Sequence, residues 1–488
     1  RVWRHVIGTP VDDDVIVYEE ADERFWTAVD LSRSERYLFI ESHSRVTSEA
    51  RFIDAATPFS EPRLVAARRQ GVEYSVDHQG ERFLILHNDG AENFELASAL
   101  VSDPGAWTPL VPHRDDTRLL GVDAFADHLV LSFRRDGLTG LRVLSGSGEQ
   151  EIAFPEPIYT VGPAGNPEYT TRTFRLAYTS LVTPSSIYDC DVVTGELSLR
   201  KRQPVLPLDG REYDPTAYEQ HREWATAEDG TRVPISLVCP AGTPRDGSAP
   251  LVLYGYGSYE ASMDPWFSIS RLSLVDRGVL FAVAHVRGGG EMGRRWYEDG
   301  KLLKKPNTFT DFVACARHVV AAGWTSTDRL VARGASAGGL LMGAVANLAP
   351  DALRAVVAEV PFVDPLTSIL DPSLPLTVME WEEWGNPIED PDVYACMKSY
   401  SPYENVSATA YPAILAVTSV HDTRVLFHEP AKWVAKLRAT TSGDRQVLLK
   451  TQMTAGHGGR SGRYDAWREE AFVLAWILDQ VGLAAPAR

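Results

Sequence analysis

Along the first 205 residues, short apolar stretches recur at an interval that few architectures can use. The segments YLFI, FLIL, LVLSF and RLAYTS place Leu38, Leu84, Leu129 and Leu176 at spacings of 46, 45 and 47 residues. A second short stretch, ARFID, NFELA, GLRVL or SIYDC, follows each. A repeat of roughly forty-five residues holding several strands is one small twisted sheet that needs neighbours to cover its faces. The spacing therefore predicts blades of an all-β propeller over residues 1–205, four of them visible, with a β-sandwich of accidentally even spacing as the competing architecture. Four blades close only a small ring, and the chain opens on Arg1, so further blades are expected upstream and the propeller is expected to be incomplete at its N-terminus.

The pattern changes across KRQPVLPLDGREYDPT at 201–216, a stretch rich in proline and charge, of which 206–216 reads as a linker. From 217 to 488, apolar runs at 251–256 and 278–286 alternate with helical stretches such as 308–322. An amphipathic helix from about Tyr464 to Gln480 closes the chain. Alternation of this kind predicts an α/β domain with a doubly wound, mostly parallel sheet.

Inside that domain, RLVARGASAGGLLMGAVANL at 329–348 runs from an apolar strand through Gly334-Ala335-Ser336-Ala337-Gly338 into a leucine-rich helix. Small residues around Ser336 permit the sharp turn of a nucleophile elbow, which exposes the hydroxyl above the sheet at a helix N-terminus. A serine hydroxyl needs a base, and the base needs an acid to orient it. In hydrolases with this elbow they follow in the order acid, histidine. Asp422 follows the apolar run AILAVTS at 413–419, and His457 stands among glycines after QVLLKTQ at 446–452. The glycines are expected to leave the His457 ring mobile. Asp364, after residues 354–360, is a rival acid, and His421 is a rival base.

With 44% hydrophobic residues, 488 residues suffice for two or three domains with buried cores. A net charge of -18 and a pI near 5.2 argue against nucleic acid as a partner and favour cationic substrates. Cys190, Cys239, Cys315 and Cys396 lie far apart without a Cys-x-x-Cys pair, so neither a zinc site nor a disulfide framework is indicated. Reduced thiols suit a cytoplasmic location. No stretch is long and apolar enough to span a membrane, and no membrane partner is expected. Gly288-Gly289-Gly290-Glu291-Met292-Gly293 formally matches a dinucleotide fingerprint after a strand. The residues that follow, RRWYEDGKLLKKP, do not open a clean helix, so the glycines read instead as a flexible loop near the site.

These segments resemble the prolyl oligopeptidase family of serine peptidases, and within it the oligopeptidase B branch. The likeness is carried by YGYGSY at 254–259, HVRGGGEMG at 285–293, YEDGKLLKKPNTF at 297–309, GASAGGLLMG at 334–343, EWEEWGNP at 380–387, KSYSPYENV at 398–406 and GHGGRSGR at 456–463. VWRHVIGTP at 2–10 extends it to the N-terminal part. The resemblance implies an α/β-hydrolase catalytic domain capped by a seven-bladed propeller, about three blades of which this chain is expected to lack. A separate chain could supply the missing part. It implies a cytosolic peptidase that cleaves short peptides after arginine or lysine, with no metal or cofactor.

Matched motif to motif, Ser336 is the implied nucleophile, His457 the base and then acid, and Asp422 its orienting partner. Tyr256 and the Ala337 amide are the implied oxyanion donors. Glu380 and Glu382 fall where the family receives the basic side chain, and Phe362 where an aromatic ring lies against it. Without the family, EWEEW reads as a solvated acidic helix face. Asp264 matches one of two acidic residues that serve a second basic side chain; the other position holds Trp266, which puts preference for paired basic residues in doubt. The rival functions are a post-proline peptidase, an esterase of the same fold, and an inactive propeller scaffold.

Overall fold

The structure, a computed structural model, describes residues 1–146, 148–207 and 210–484. Among them, four four-stranded antiparallel sheets follow one another in the N-terminal part, each a simple meander. YLFI, FLIL, LVLSF and RLAYTS lie in the second strands, Tyr37–His43, Arg82–His87, His128–Arg135 and Thr173–Thr179. Each following stretch lies in or runs into the third strand of the same sheet. A short hairpin of Val2–Arg4 with Val15–Tyr18 precedes them.

Strand pairing gives the repeat its true register. Tyr37, Arg82, His128 and Thr173 open the second strands, opposite Asp54, Leu100, Ser145 and Asp191. The interval is therefore 45, 46 and 45 residues, and Leu84 stands one place out of phase with the other three leucines. One place reverses the face. Phe83 and Ile85 pack against Phe39 and Phe52 of the first sheet, whereas Leu84 and Leu86 meet Leu129 and Leu131 of the third. FLIL is apolar throughout because that sheet is covered on both faces. In the same way Val130 and Val143 meet Phe174 and Leu176 of the fourth sheet.

The last of these strands ends at Arg202, and the next sheet opens at Tyr218. Residues 208 and 209 of the expected linker lie outside the described residues. The second sheet has eight strands: β1 (Tyr218–Thr226), β2 (Arg232–Pro240), β3 (Leu251–Tyr254), β4 (Leu280–Ala284), β5 (Leu330–Ala335), β6 (Ala355–Glu359), β7 (Ala413–Ser419) and β8 (Val447–Gln452). Their order is β1-β2-β4-β3-β5-β6-β7-β8, and β2 alone runs against its neighbours. Helices α1 (Pro306–Ala321) and α2 (Ala337–Leu348) cover one face. Helix α4 (Arg463–Gln480), which follows α3 (Thr377–Trp384), covers the other. Alternation along β5 serves both: Leu330 and Ala332 pack with Phe312, Leu340 and Leu341, while Val331 packs with Trp476 and Ile477. No helix among the described residues is long and apolar enough to cross a membrane.

Between the two domains, ion pairs join neutral hydrogen bonds such as that of the Phe267 amide to Thr179 and the packing of Leu181 and Val182 against Val238 and Leu274. Arg134 forks onto Asp264 at 2.6 and 2.9 Å, and Arg118 reaches Glu260 at 3.1 Å. Arg294 pairs with both Glu73 and Glu260.

Candidate active site

The elbow follows from how little space its backbone has. Ser336 sits at φ 58° and ψ −117°, a conformation side chains rarely adopt, between the end of β5 and the start of α2. Such strain is held only by surroundings that leave no alternative. The Ser336 amide donates to the Glu359 carbonyl at 2.9 Å, and its carbonyl accepts from Gly339 and Phe362. A Cβ on Gly334 would lie 2.4 Å from the Gly338 carbonyl oxygen, and one on Gly339 would lie 2.4 Å from Pro361. Only glycine lets these backbones meet.

His457 Nε2 lies 3.1 Å from Ser336 Oγ, and its Nδ1 lies 2.7 Å from Asp422 Oδ2. The ring sits in a turn in which the Gly459 amide donates to the Gly456 carbonyl. Asp422 is buried. Burial would raise its pKa, but the hydrogen bond from His457 and those from the Val425 and Arg424 amides outweigh burial and hold it below the usual carboxylate range. An ionised acid on Nδ1 fixes the tautomer that leaves Nε2 free to accept from the serine.

The rivals stand elsewhere. Asp364 is fully buried and paired with Lys432, and His421 is exposed, its amide donating to the Ala455 carbonyl. The Gly288–Gly293 loop is neither a phosphate cradle nor loose. A Cβ on Gly288 would lie 2.2 Å from the Gly257 carbonyl oxygen, and the buried Glu291 carboxylate accepts from the Met263 amide at 2.8 Å. The loop buttresses the tyrosine motif.

Ser336, Ala337, His457 and Tyr256 share a cavity of about 510 Å³ with Phe362 and Glu380. Burial first, then the charge of Glu380, pushes the Tyr256 hydroxyl up to about 12, so it stays a proton donor at neutral pH. Ala337 opens α2, where backbone amides lack helical acceptors. In α3, Glu380 and Glu383 are buried and only Glu382 is half-exposed, so the acidic helix is not a solvated face. Glu380 Oε2 accepts from the Tyr259 hydroxyl at 2.6 Å and the Trp384 indole at 2.8 Å. The Phe362 ring lies 5.6 Å from that of Trp384.

Glu382 and Asp264 are not brought into the cavity. Glu382 accepts from the Arg45 amide and from Gln70, and Asp264 is held in the Arg134 fork. The residue that sequence reasoning missed is Arg45, whose guanidinium reaches Glu380 Oε1 at 3.1 Å. An arginine in a hairpin 335 residues from its partner leaves no local signal. Away from the cavity, Glu219, His221 and Cys239 each bring one donor atom within 4.8 Å of the others, a grouping compatible with a metal ion and invisible to cysteine spacing.

A serine on a strand-to-helix elbow, served by a histidine and an aspartate from loops after later strands of an eight-stranded sheet, defines a serine hydrolase of the α/β-hydrolase fold. This one carries a β-propeller domain before it. The model of the prolyl oligopeptidase N-terminal β-propeller domain matches residues 1–203, and that of the prolyl oligopeptidase family matches residues 265–484. Dipeptidyl aminopeptidase BI of Pseudoxanthomonas mexicana is 45% identical over 99% of this chain and 67% of its own length. Protease 2 of Moraxella lacunata is 43% identical over 99% of this chain and 70% of its own. Oligopeptidase B from Trypanosoma brucei, solved with covalently bound antipain in a closed form, superposes with a TM-score of 0.95 at 41% identity, covering 100% of this chain and 70% of that one. The chain belongs to the prolyl oligopeptidase family and is a serine-type peptidase.

Proposed function

We propose that the chain is an oligopeptidase hydrolysing short peptides on the carboxyl side of arginine or lysine. The observation that carries the proposal is the buried Glu380 carboxylate in the same cavity as Ser336 and His457. A guanidinium asks for a planar carboxylate and packs against a ring such as Phe362. The similarity to protease 2 and to the oligopeptidase B structures supports the same specificity. A post-proline site has no use for a buried carboxylate, and a dead scaffold has none for an aligned triad. Four unpaired thiols support a reducing, cytoplasmic setting.

His457 takes the Ser336 proton as Oγ attacks the carbonyl carbon, and Asp422 stabilises the imidazolium that forms. The Tyr256 hydroxyl and the Ala337 amide receive the oxyanion. The proton passes from His457 to the leaving amine as the C–N bond breaks, leaving an ester on Ser336. Water repeats the sequence and frees the acid.

The test is a panel of aminomethylcoumarin peptides with arginine, lysine, proline or alanine before the bond, each with a free or blocked N-terminus, assayed beside Ser336→Ala and an ester substrate. Turnover confined to the basic peptides and lost in the variant is expected. Preference for proline, or for the ester alone, would refute the proposal. The free and blocked pairs separate an endopeptidase from a dipeptide-releasing enzyme.

A further inference from the structure

Arg45 is paired with Glu380, the carboxylate proposed above to receive a substrate's basic side chain. It stands in the turn between the second and third strands of the first propeller sheet, Tyr37–His43 and Ser48–Asp54. The turn is pinned at its own ends, where the Ser44 amide donates to the Thr47 carbonyl at 2.8 Å and the Gly71 amide donates to Thr47 Oγ1 at 3.1 Å. From there the guanidinium enters the catalytic cavity, 4.6 Å from the centre of the Tyr259 ring and 5.3 Å from that of Trp26, and donates to Glu380 Oε1.

Two features make this contact exchangeable. The backbone anchor is separate from the side chain: the Arg45 amide donates to Glu382 at 3.0 Å, while the guanidinium meets Glu380. The guanidinium also makes one hydrogen bond where a carboxylate could take two, and its buried Nε has no partner. Glu380 is 6% exposed, and a carboxylate so buried is costly without a cation.

We infer that Arg45 is a built-in stand-in for the substrate's basic side chain, holding Glu380 until the arginine or lysine of a peptide displaces it. This rests on the proposed role of Glu380. Exchange of one cation for another keeps Glu380 paired. A neutral side chain that displaced Arg45 would leave the carboxylate bare, so the competitor lowers affinity for basic peptides while excluding neutral ones.

The test compares Arg45→Met, which keeps the apolar stem, with the unaltered chain on aminomethylcoumarin peptides carrying arginine or alanine before the bond, and uses benzamidine as a competing cation. Fluorophosphonate labelling of Ser336 reports that the site is folded, and Arg45→Lys, which keeps charge but not the planar stack, serves as a second variant. Loss of one charge-assisted competitor is expected to lower KM for the arginine peptide and Ki for benzamidine about tenfold, with kcat changing far less and Arg45→Lys intermediate. KM for the alanine peptide is expected not to fall. An arginine KM that stays or rises in both variants overturns the inference, as does an equal gain on the alanine peptide, which would make Arg45 a door rather than a stand-in. If the unaltered chain does not prefer arginine to alanine, the role of Glu380 fails first; a preference that persists with an unmoved KM sinks the stand-in alone.

Discussion

At the scale of single residues, the site separates groups that do chemistry from groups that hold them. Tyr256→Phe removes one of two oxyanion donors and keeps the ring, so kcat is expected to fall about a hundred- to a thousandfold with KM little changed, measured on an arginyl aminomethylcoumarin peptide. Asp422→Asn keeps the shape of the acid but not its charge, and the Val425 and Arg424 amides still point at it. The amide offers Nδ1 the wrong partner, and a loss of about 10⁴ in kcat is expected. Glu429 also lines the cavity. Burial pushes its carboxyl up to about 7 from an ordinary 4.5, against hydrogen bonds from Ser368 and the Asp364 amide. Between those values the folded state binds the proton and the unfolded state does not, so this group makes stability fall as pH rises from about 4.5 to about 7. Glu429→Gln is expected to flatten that part of a Tm-against-pH curve; an unaltered slope would place the effect elsewhere.

At the scale of elements, the triad was legible because each member stands where a strand stops: Ser336 after β5, Asp422 after β7, His457 after β8. A parallel sheet brings those ends together, so local patterns sufficed. They did not suffice for phase. FLIL is apolar on both faces, and nothing in four apolar letters says which face Leu84 takes; only pairing with the third strand fixes it. Nor does a run of glycines reveal whether it is loose or crowded: at Gly288 the backbone of Gly257 leaves no room for a Cβ, whereas Gly458 and Gly459 beside His457 have open space around them. The crowding can be tested at the elbow. Gly334→Ala would put a methyl 2.4 Å from one carbonyl oxygen and 2.9 Å from another, both backbone. Overpacking of about 1–3 kcal/mol is expected, read as a lower Tm. Because the displaced backbone carries Ser336, fluorophosphonate labelling is expected to slow in the same variant.

At the scale of the whole molecule, the domains meet through arginines of one on carboxylates of the other, and those pairs decide what Asp264 is for. The family resemblance gives it to a second basic residue of the substrate, while the structure gives it to Arg134. Such long-range pairs were illegible because the partners lie 130 residues apart, in different domains, and a local pattern does not link them. Arg134 is 5% exposed, its Nε has no partner, and the half-buried Arg222 adds like charge nearby, as desolvation and Arg134 lower its pKa to about 10. Removing the charge of Asp264 leaves two guanidinium groups facing Glu291, and a buried charge stripped of its partner costs about 3–5 kcal/mol. Asp264→Asn is therefore expected to lower Tm and to speed proteolytic cutting of the chain between Arg202 and Tyr218, where the domains join. On peptides ending in Arg-Arg or Ala-Arg before the cleaved bond, a bridging Asp264 predicts KM values whose ratio is the same in variant and parent. A subsite predicts that only the Arg-Arg peptide loses affinity. Loss of that ratio with Tm unmoved would return Asp264 to the substrate and leave the domain contact to Arg118 and Arg294.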